Sequence, residues 1–240
     1  MVKASTASQW FRRFNSIDMD YLHTDKHMHT TWGDGEGTLE EIVTKAQAMS
    51  LRQIAFTEHI REESTYFEDY FKEIKKMQAK YSIELLAGFE AKIKNFSGDI
   101  DVSKEVMEKA DIKIASVHRF PIGRKLLSPK SFSSEICQEI ELELSLAALQ
   151  RPDFNVLGHP GGMSLRTFKE FSMKFFEEII MACVKSDVAF DLNSSYHLPV
   201  LKDLKKLLQK YNPYISLGSD AHKISDVGNW TNVWTMEESI

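Results

Sequence analysis

Cysteine is nearly absent from this 240-residue chain, which has only Cys137 and Cys183. Two thiols cannot staple a small secreted scaffold. The fold is therefore expected to rest on an apolar core, with both cysteines as buried free thiols of a reducing compartment, the cytoplasm. No apolar run approaches the ~18 residues of a membrane helix, so no membrane partner is expected. The first residues lack the apolar stretch of a secretory signal. An excess of positive charge is missing too. Thirty Lys and Arg stand against 35 Asp and Glu, a formal net charge of -5. The surface as a whole offers little attraction to nucleic acid or anionic lipid. An anionic ligand would need a local positive site, which a cluster of metal ions supplies.

What is present is an ordinary globular balance, 42% hydrophobic and 27% charged. Apolar segments of strand length alternate with longer amphipathic ones. The expected strands are Tyr21–Asp25, Gln53–Thr57, Glu84–Phe89, Ile112–Val117, Asn155–Leu157, Val188–Leu192 and Tyr214–Leu217. Near-continuous runs such as Ile112-Lys113-Ile114-Ala115 mark strands buried on both faces. Thr38-Leu39-Glu40-Glu41 reads as a capping box, and Thr167-Phe168-Lys169-Glu170 as a second one. Pro199 suits a helical first turn. Further helices are expected at about 66–80, 102–109 and 131–149. Seven strands alternating with helices imply parallel pairing, in an open sheet or a closed barrel. Residues 1–17 carry Lys3, Arg12 and Arg13 with no acid before Asp18. They are read as a short helix that Trp10, Phe11 and Phe14 pack against the body.

The histidines choose between the two architectures. His27, His29, His59, His118, His159 and His222 each follow an expected strand, as do the carboxylates Asp34, Glu90 and Asp220. Chemistry in parallel α/β folds collects at that edge. A barrel gathers every strand end around one axis, whereas an open sheet spreads them along a line, so a barrel is expected. In His27-Met28-His29 the rings lie at i and i+2 and share a face on a strand. Asp220-Ala221-His222 repeats the spacing with mixed ligands. Gly158-His159-Pro160-Gly161-Gly162 puts irregular backbone around a ring. Any one of these histidines alone is more often a satisfied core residue than a ligand; their joint placement is what argues for metal. Nine such side chains with one bridging carboxylate suit three ions, and mixed imidazole and carboxylate donors suit Zn, Mn or Fe better than Ca or Mg.

The order Thr24-Asp25-Lys26-His27-Met28-His29-Thr30, Phe56-Thr57-Glu58-His59, Gly88-Phe89-Glu90, Ser116-Val117-His118, Gly158-His159-Pro160, Asp191-Leu192-Asn193, Gly218-Ser219-Asp220-Ala221-His222 resembles the polymerase and histidinol phosphatase (PHP) family over about residues 21 to 228. The resemblance implies a distorted (β/α)7 TIM-like barrel in a single domain, 1–240, with an N-terminal extension over 1–19. It also implies a trinuclear metal centre that hydrolyses phosphate esters. By position, His27, His29, Glu90 and Asp220 would hold one ion, and Asp34, His59 and His222 a second. Glu90, His118 and His159 would hold the third, with Glu90 bridging. Within Gly33-Asp34-Gly35-Glu36-Gly37, Glu36 is the alternative to Asp34.

A phosphomonoester dianion repels hydroxide, and bound metal neutralises it while lowering the pKa of water towards ~7. A bridging hydroxide is the expected nucleophile, with Glu90, Asp220 and His222 as the catalytic set. Asp220 or His222 is a candidate proton handler. Arg119 is a candidate phosphate fork, with Arg124 and Lys125 weaker candidates. Asn193 and His197 are candidate substrate contacts. His197 lies where histidinol phosphatases of this family are expected to place an arginine, which puts histidinol phosphate in question even though it is the best single guess. His23 is expected to be structural. A small phosphorylated metabolite is the expected substrate. A proofreading-type nuclease is disfavoured by the acidic balance and the lack of a polymerase domain. A metal-stabilised interaction module would show missing ligands, and a non-phosphate amidohydrolase would show a bridging lysine.

Overall fold

The protein is described from a computed structural model covering residues 7–123, 125–150, 152–228 and 230. Its strands are β1 Arg12–Arg13, β2 Thr24–Asp25, β3 Gln53–Glu58, β4 Glu84–Lys92, β5 Ile112–Ser116, β6 Phe120–Ile122, β7 Lys125–Leu127, β8 Val156–Gly158, β9 Ala189–Asn193 and β10 Tyr214–Gly218. Its helices are α1 Met19–Leu22, α2 Leu39–Ala48, α3 Phe67–Gln78, α4 Lys104–Lys109, α5 Ser134–Leu149, α6 Gly162–Phe168, α7 Met173–Ser186 and α8 Leu201–Tyr211. One curled sheet has the order β1-β10-β9-β8-β5-β4-β3-β2. Its strands run parallel, as expected, apart from β1, which lies antiparallel on β10.

Backbone contacts beyond the regular strands close the seam between β2 and β10. Lys26 N–H donates to Leu217 O, Asp220 N–H to His27 O, and His29 N–H to Ala221 O, at 2.8–2.9 Å. Met28 and Ala221 form a parallel bridge. The result is the distorted (β/α)7 TIM-like barrel expected from the histidine placement. Alternation along the strands separates two environments. Ala55, Leu86, Ile112, Ile114, Val156 and Ala189 form one small buried cluster inside. Ile54, Phe56, Leu85 and Phe89 pack outward with residues of α2 and α3. Leu157, Phe190 and Ile215 pack outward with residues of α5, α7 and α8. Glu90 therefore shares the inner face with Leu86, and Asp191 with Ala189.

The N-terminal segment corrects one expectation. Its described residues contain two 3-10 turns, Ala7–Gln9 and Phe14–Ser16, around strand β1, and no α-helix before α1. Ala7 and Phe11 join the inner cluster, so this segment covers the lower end of the barrel. Buried Phe14 packs in the outer core. Tyr21 lies in α1 and not in the first strand, because the Asp18 side chain accepts from Tyr21 N–H and starts a helical turn there. His23 ends that turn, its Nδ1 2.7 Å from Met19 O, in the structural place expected of it.

Thr38 forms the expected capping box with Glu41. Thr167 does not form one. It lies inside α6, whose chain turns left-handed at Lys169, and the next helix starts after Ser172. Pro199 sits in a 3-10 turn, Leu198–Val200, that leads into α8. The loop after β5 holds the β6–β7 hairpin, an added pair of strands outside the alternation. Cys137 and Cys183 are buried and free. Among the described residues, no helix is long and apolar enough to cross a membrane.

Candidate metal centre

The nine expected ligands meet at the C-terminal mouth of the barrel. Candidate ligand atoms of eight of them, all but His159, fall into three overlapping groups, with members within 4.8 Å of one another. One group is His27, His29, Glu90 and Asp220; another is His29, Asp34, His59 and His222; the third is His59, Glu90 and His118. His59 thus stands in the third group where the resemblance implied His159. His159 still reaches the same carboxylate, with its Nε2 2.9 Å from Glu90 Oε1. Asp34 joins a group and Glu36 does not; Glu36 is exposed and ties to the site through its backbone N–H on His222 O.

Glu90 is the hub. His27 Nε2 lies 3.3 Å from its carboxylate, His59 Nδ1 3.1 Å and His118 Nε2 3.3 Å. Burial alone would raise the carboxyl's pKa, but His118 and His27, together with hydrogen bonds from His118 and His159, hold it well below the usual carboxylate range. Asp220 sits 3.1 Å from His29 Nε2 and 3.5 Å from His27 Nε2. Burial opposes its ionisation too, yet His27 and His29 hold it low. Asp34 Oδ1 lies 3.4 Å from His222 Nε2, and its Oδ2 3.7 Å from His59 Nε2.

The outer partners fix which nitrogen faces inward. His27 Nδ1 donates to Asp191 Oδ2 at 2.9 Å, leaving Nε2 towards Glu90 and Asp220. His222 Nδ1 donates to Asp220 O, leaving Nε2 towards Asp34. A histidine oriented by a second hydrogen bond is the ordinary construction of a metal ligand. Buried His27 Nε2, His29 Nδ1, Glu90 Oε2 and His159 Nδ1 have no hydrogen-bond partner. Orphaned buried polar atoms of this kind are costly unless something else satisfies them. With imidazole and carboxylate as the donor set, divalent transition metal fits the site.

Backbone shape makes the convergence possible. Gly35 passes so close to His29 that an added Cβ would lie 2.5 Å from His29 O, and this approach brings Asp34 over the rings. At Gly218 a Cβ would lie 2.5 Å from His27 Cβ and 2.6 Å from Asp191 Oδ1. His159 and Asp220 adopt left-handed φ, at 29° and 53°. Non-glycine residues are rare there, and such strain clusters at functional sites. The buried Glu141 carboxylate accepts from Met163 N–H, Ser164 N–H and Ser164 Oγ–H, which pins the start of α6 directly after the His159 loop.

Two expected substrate contacts are not presented to a substrate. His197 is fully buried, donates from Nε2 to Pro160 O at 2.8 Å and accepts at Nδ1 from Asn193 N–H at 2.9 Å. Both of its ring nitrogens are occupied, and burial pulls its pKa down to about 4. Asn193, also fully buried, donates to Asp191 Oδ2 at 3.1 Å and so braces the carboxylate behind His27. Arg119 does line the cavity over Glu90, His59 and His118, which has a volume of about 750 Å³. Lys125 is exposed on β7 and does not line that cavity, and Arg124 lies outside the described residues. Arg61, Lys130 and Arg166 line it too. Their local sequence carries no signal of this, since isolated basic residues in loops and helices usually face solvent.

Burial lowers the basicity of His59, but Glu90 and Asp34 outweigh it and raise the ring to about 9. His27 and His159 are likewise raised against the effect of burial by the surrounding carboxylates. Without metal the His59 ring holds a proton at neutral pH, and a binding ion must displace it. Apparent metal affinity is therefore expected to fall as pH drops below about 9. Titration calorimetry in buffers of different ionisation enthalpy should show proton release. A binding enthalpy independent of the buffer would contradict this account.

Fold and site together define an α/β barrel whose C-terminal mouth gathers side chains that could hold divalent metal. The chain belongs to the PHP family: residues 25–195 match the PHP domain. It is 29% identical over 220 residues to a Caldicellulosiruptor bescii protein named "Probable phosphatase", covering 87% of this chain and 83% of that one. A Pectobacterium atrosepticum protein of the same description is 25% identical over 220 residues, covering 87% and 82%. The fold matches the histidinol phosphate phosphatase of Lactococcus lactis, solved with Zn, L-histidinol and phosphate, with a TM-score of 0.73. That match has 24% identity and covers 89% of this chain and 91% of the other.

Proposed function

We propose that the protein is a metal-dependent phosphomonoesterase acting on a small phosphorylated metabolite. The observation that carries this reading is the ring of imidazoles around one buried carboxylate, with His27, His59, His118 and His159 all within 3.3 Å of Glu90. His27, His29, Glu90 and Asp220 would hold one ion, Asp34, His59 and His222 a second, and Glu90, His118 and His159 a third. Zn is the first choice, then Mn or Fe. When bound, the ions neutralise phosphate charge and acidify water towards a pKa of ~7.

The chain's own residues do the remaining work. Glu90 would be the carboxylate shared between ions, and Asp191 orients His27. Arg119, next to His118 at the cavity wall, receives the scissile phosphate as a planar fork. Asp220 or His222 is the candidate to handle the leaving-group proton, in competition with its place among the metal ligands. The related phosphatases and the neighbour crystallised with L-histidinol and phosphate support a phosphomonoester over a diester. Histidinol phosphate is the first natural ester to assay. The two buried free thiols support a reducing compartment, the cytoplasm.

Elemental analysis of purified protein should find about two to three equivalents of transition metal. The loaded protein should hydrolyse p-nitrophenyl phosphate at least about tenfold faster than bis(p-nitrophenyl) phosphate or a short oligonucleotide. Preference for the diesters would make it a nuclease. A folded protein with neither metal nor turnover would remove the enzymatic reading.

A further inference from the structure

We propose that the natural substrate carries a second anionic group, a phosphate or a carboxylate, and that Arg61, Lys130 and Arg166 receive it. This deepens the phosphomonoesterase reading above and rests on it. The cavity over Glu90 is lined by five basic residues: Arg61, Lys92, Arg119, Lys130 and Arg166. Its only lining carboxylates among the described residues are Asp34 and Glu90, both in the candidate metal groups. Lys92 is tied to Asp101 at 2.8 Å. Among the described residues the other four make no ion pair and no side-chain hydrogen bond.

Elsewhere on the surface some basic residues pair with acids, and those that do not, such as Lys45, Lys76 and Lys185, do not line this cavity. Lys94 pairs with Glu62, Lys109 with Glu68 and Glu105, Lys206 with Asp203, and Lys210 with Glu177. In a chain of net charge -5, this one opening gathers five basic residues against two carboxylates, both of them in the candidate metal groups.

One phosphate does not account for them. The scissile group would be met by the metal site and by Arg119, which follows the candidate ligand His118. Three cations remain. Arg61 follows β3, Lys130 sits in the 3-10 turn Pro129–Ser131, and Arg166 lies on α6, which packs against that turn. Three unpaired like charges at one cavity mouth repel one another until an anion enters, and a cleft of one sign concentrates such ligands. An alcohol bearing an ammonium or imidazolium group, such as histidinol, would bring a positive charge to this wall and find no carboxylate free of the metal centre.

The test is a set of phosphomonoesters of similar size assayed on the metal-loaded protein: 3-phosphoglycerate, a terminal propanediol bisphosphate, glycerol 3-phosphate and O-phosphoethanolamine. A charge-assisted contact predicts that kcat/KM for one or both esters with an anionic tail exceeds that for glycerol 3-phosphate by at least about tenfold. Phosphoethanolamine and histidinol phosphate should fall below glycerol 3-phosphate. The preference should reside in KM, weaken as ionic strength rises, and shrink towards unity in Lys130→Gln/Arg166→Gln. These side chains are exposed, and a circular dichroism melt confirms that the variant folds. Equal kcat/KM across the series, or preference for the cationic esters, overturns the inference while the phosphomonoesterase reading stands. A preference unchanged in the variant also overturns it, since other residues would then read the second charge. Failure to hydrolyse any of the esters, p-nitrophenyl phosphate included, sinks the underlying reading instead.

Discussion

Glu90→Gln should lower phosphomonoester turnover by about a thousandfold or more, because charge stabilisation at a metal centre is worth several kcal/mol and each 1.36 kcal/mol is a factor of ten. Glutamine keeps the shape of the side chain but not its charge. His27, His59, His118 and His159 all approach this carboxylate within 3.3 Å. An amide there presents N–H groups to some of these rings and cannot bridge two cations. Loss of the negative charge also removes what raises His59 and His159, so their basicity should fall and the metal-free site should bind fewer protons. Elemental analysis beside p-nitrophenyl phosphate kinetics checks the outcome. Retained turnover with full metal content would show that Glu90 does not bridge.

Asp191→Asn should weaken metal binding by about 10–100-fold with the fold intact, the usual cost of losing the partner that orients a ligand. Asp191 is fully buried and its Oδ2 accepts from His27 Nδ1, His159 N–H and Asn193 Nδ2. The amide has only one oxygen. If that oxygen stays on His27 it keeps all three donors, and the amide nitrogen takes the buried Oδ1 position, where it finds no acceptor. If it turns away, the amide N–H faces His27 Nδ1 and favours the ring form whose Nε2 carries a proton, with no lone pair for metal. Competition with a chromophoric chelator measures the affinity. An unchanged dissociation constant would show that His27 needs no such orientation. The variant also separates a positioning role from a purely structural one, since thermal stability should change less than affinity.

The residue pattern made the metal centre legible in advance because its elements are short-range. His27-Met28-His29 and Asp220-Ala221-His222 place pairs on one face, and apolar runs ending in Glu58-His59, Glu90 or His118 mark strand ends. The Thr38 capping box is likewise a contact between neighbours in sequence, and it formed as read. Thr167 has the same local signature, but the end of α6 at Phe168 overrode it. Tyr21 sits in apolar sequence that reads as strand, and the Asp18 cap made it helix instead.

Chain order alone determined the alternation of strands and helices, the mouth at which ligands gather and the residue types that meet there. Tertiary structure decided depth and pairing. His159 and His197 both follow strands, yet one touches Glu90 and the other spends both nitrogens on backbone. Arg61, Lys130 and Arg166 look like ordinary surface residues until the fold sets them around one cavity whose acids, Asp34 and Glu90, belong to the candidate metal groups. Spacing along a chain reports which face a side chain occupies, whereas burial and charge pairing depend on segments a hundred residues away, and only the folded barrel brings those together.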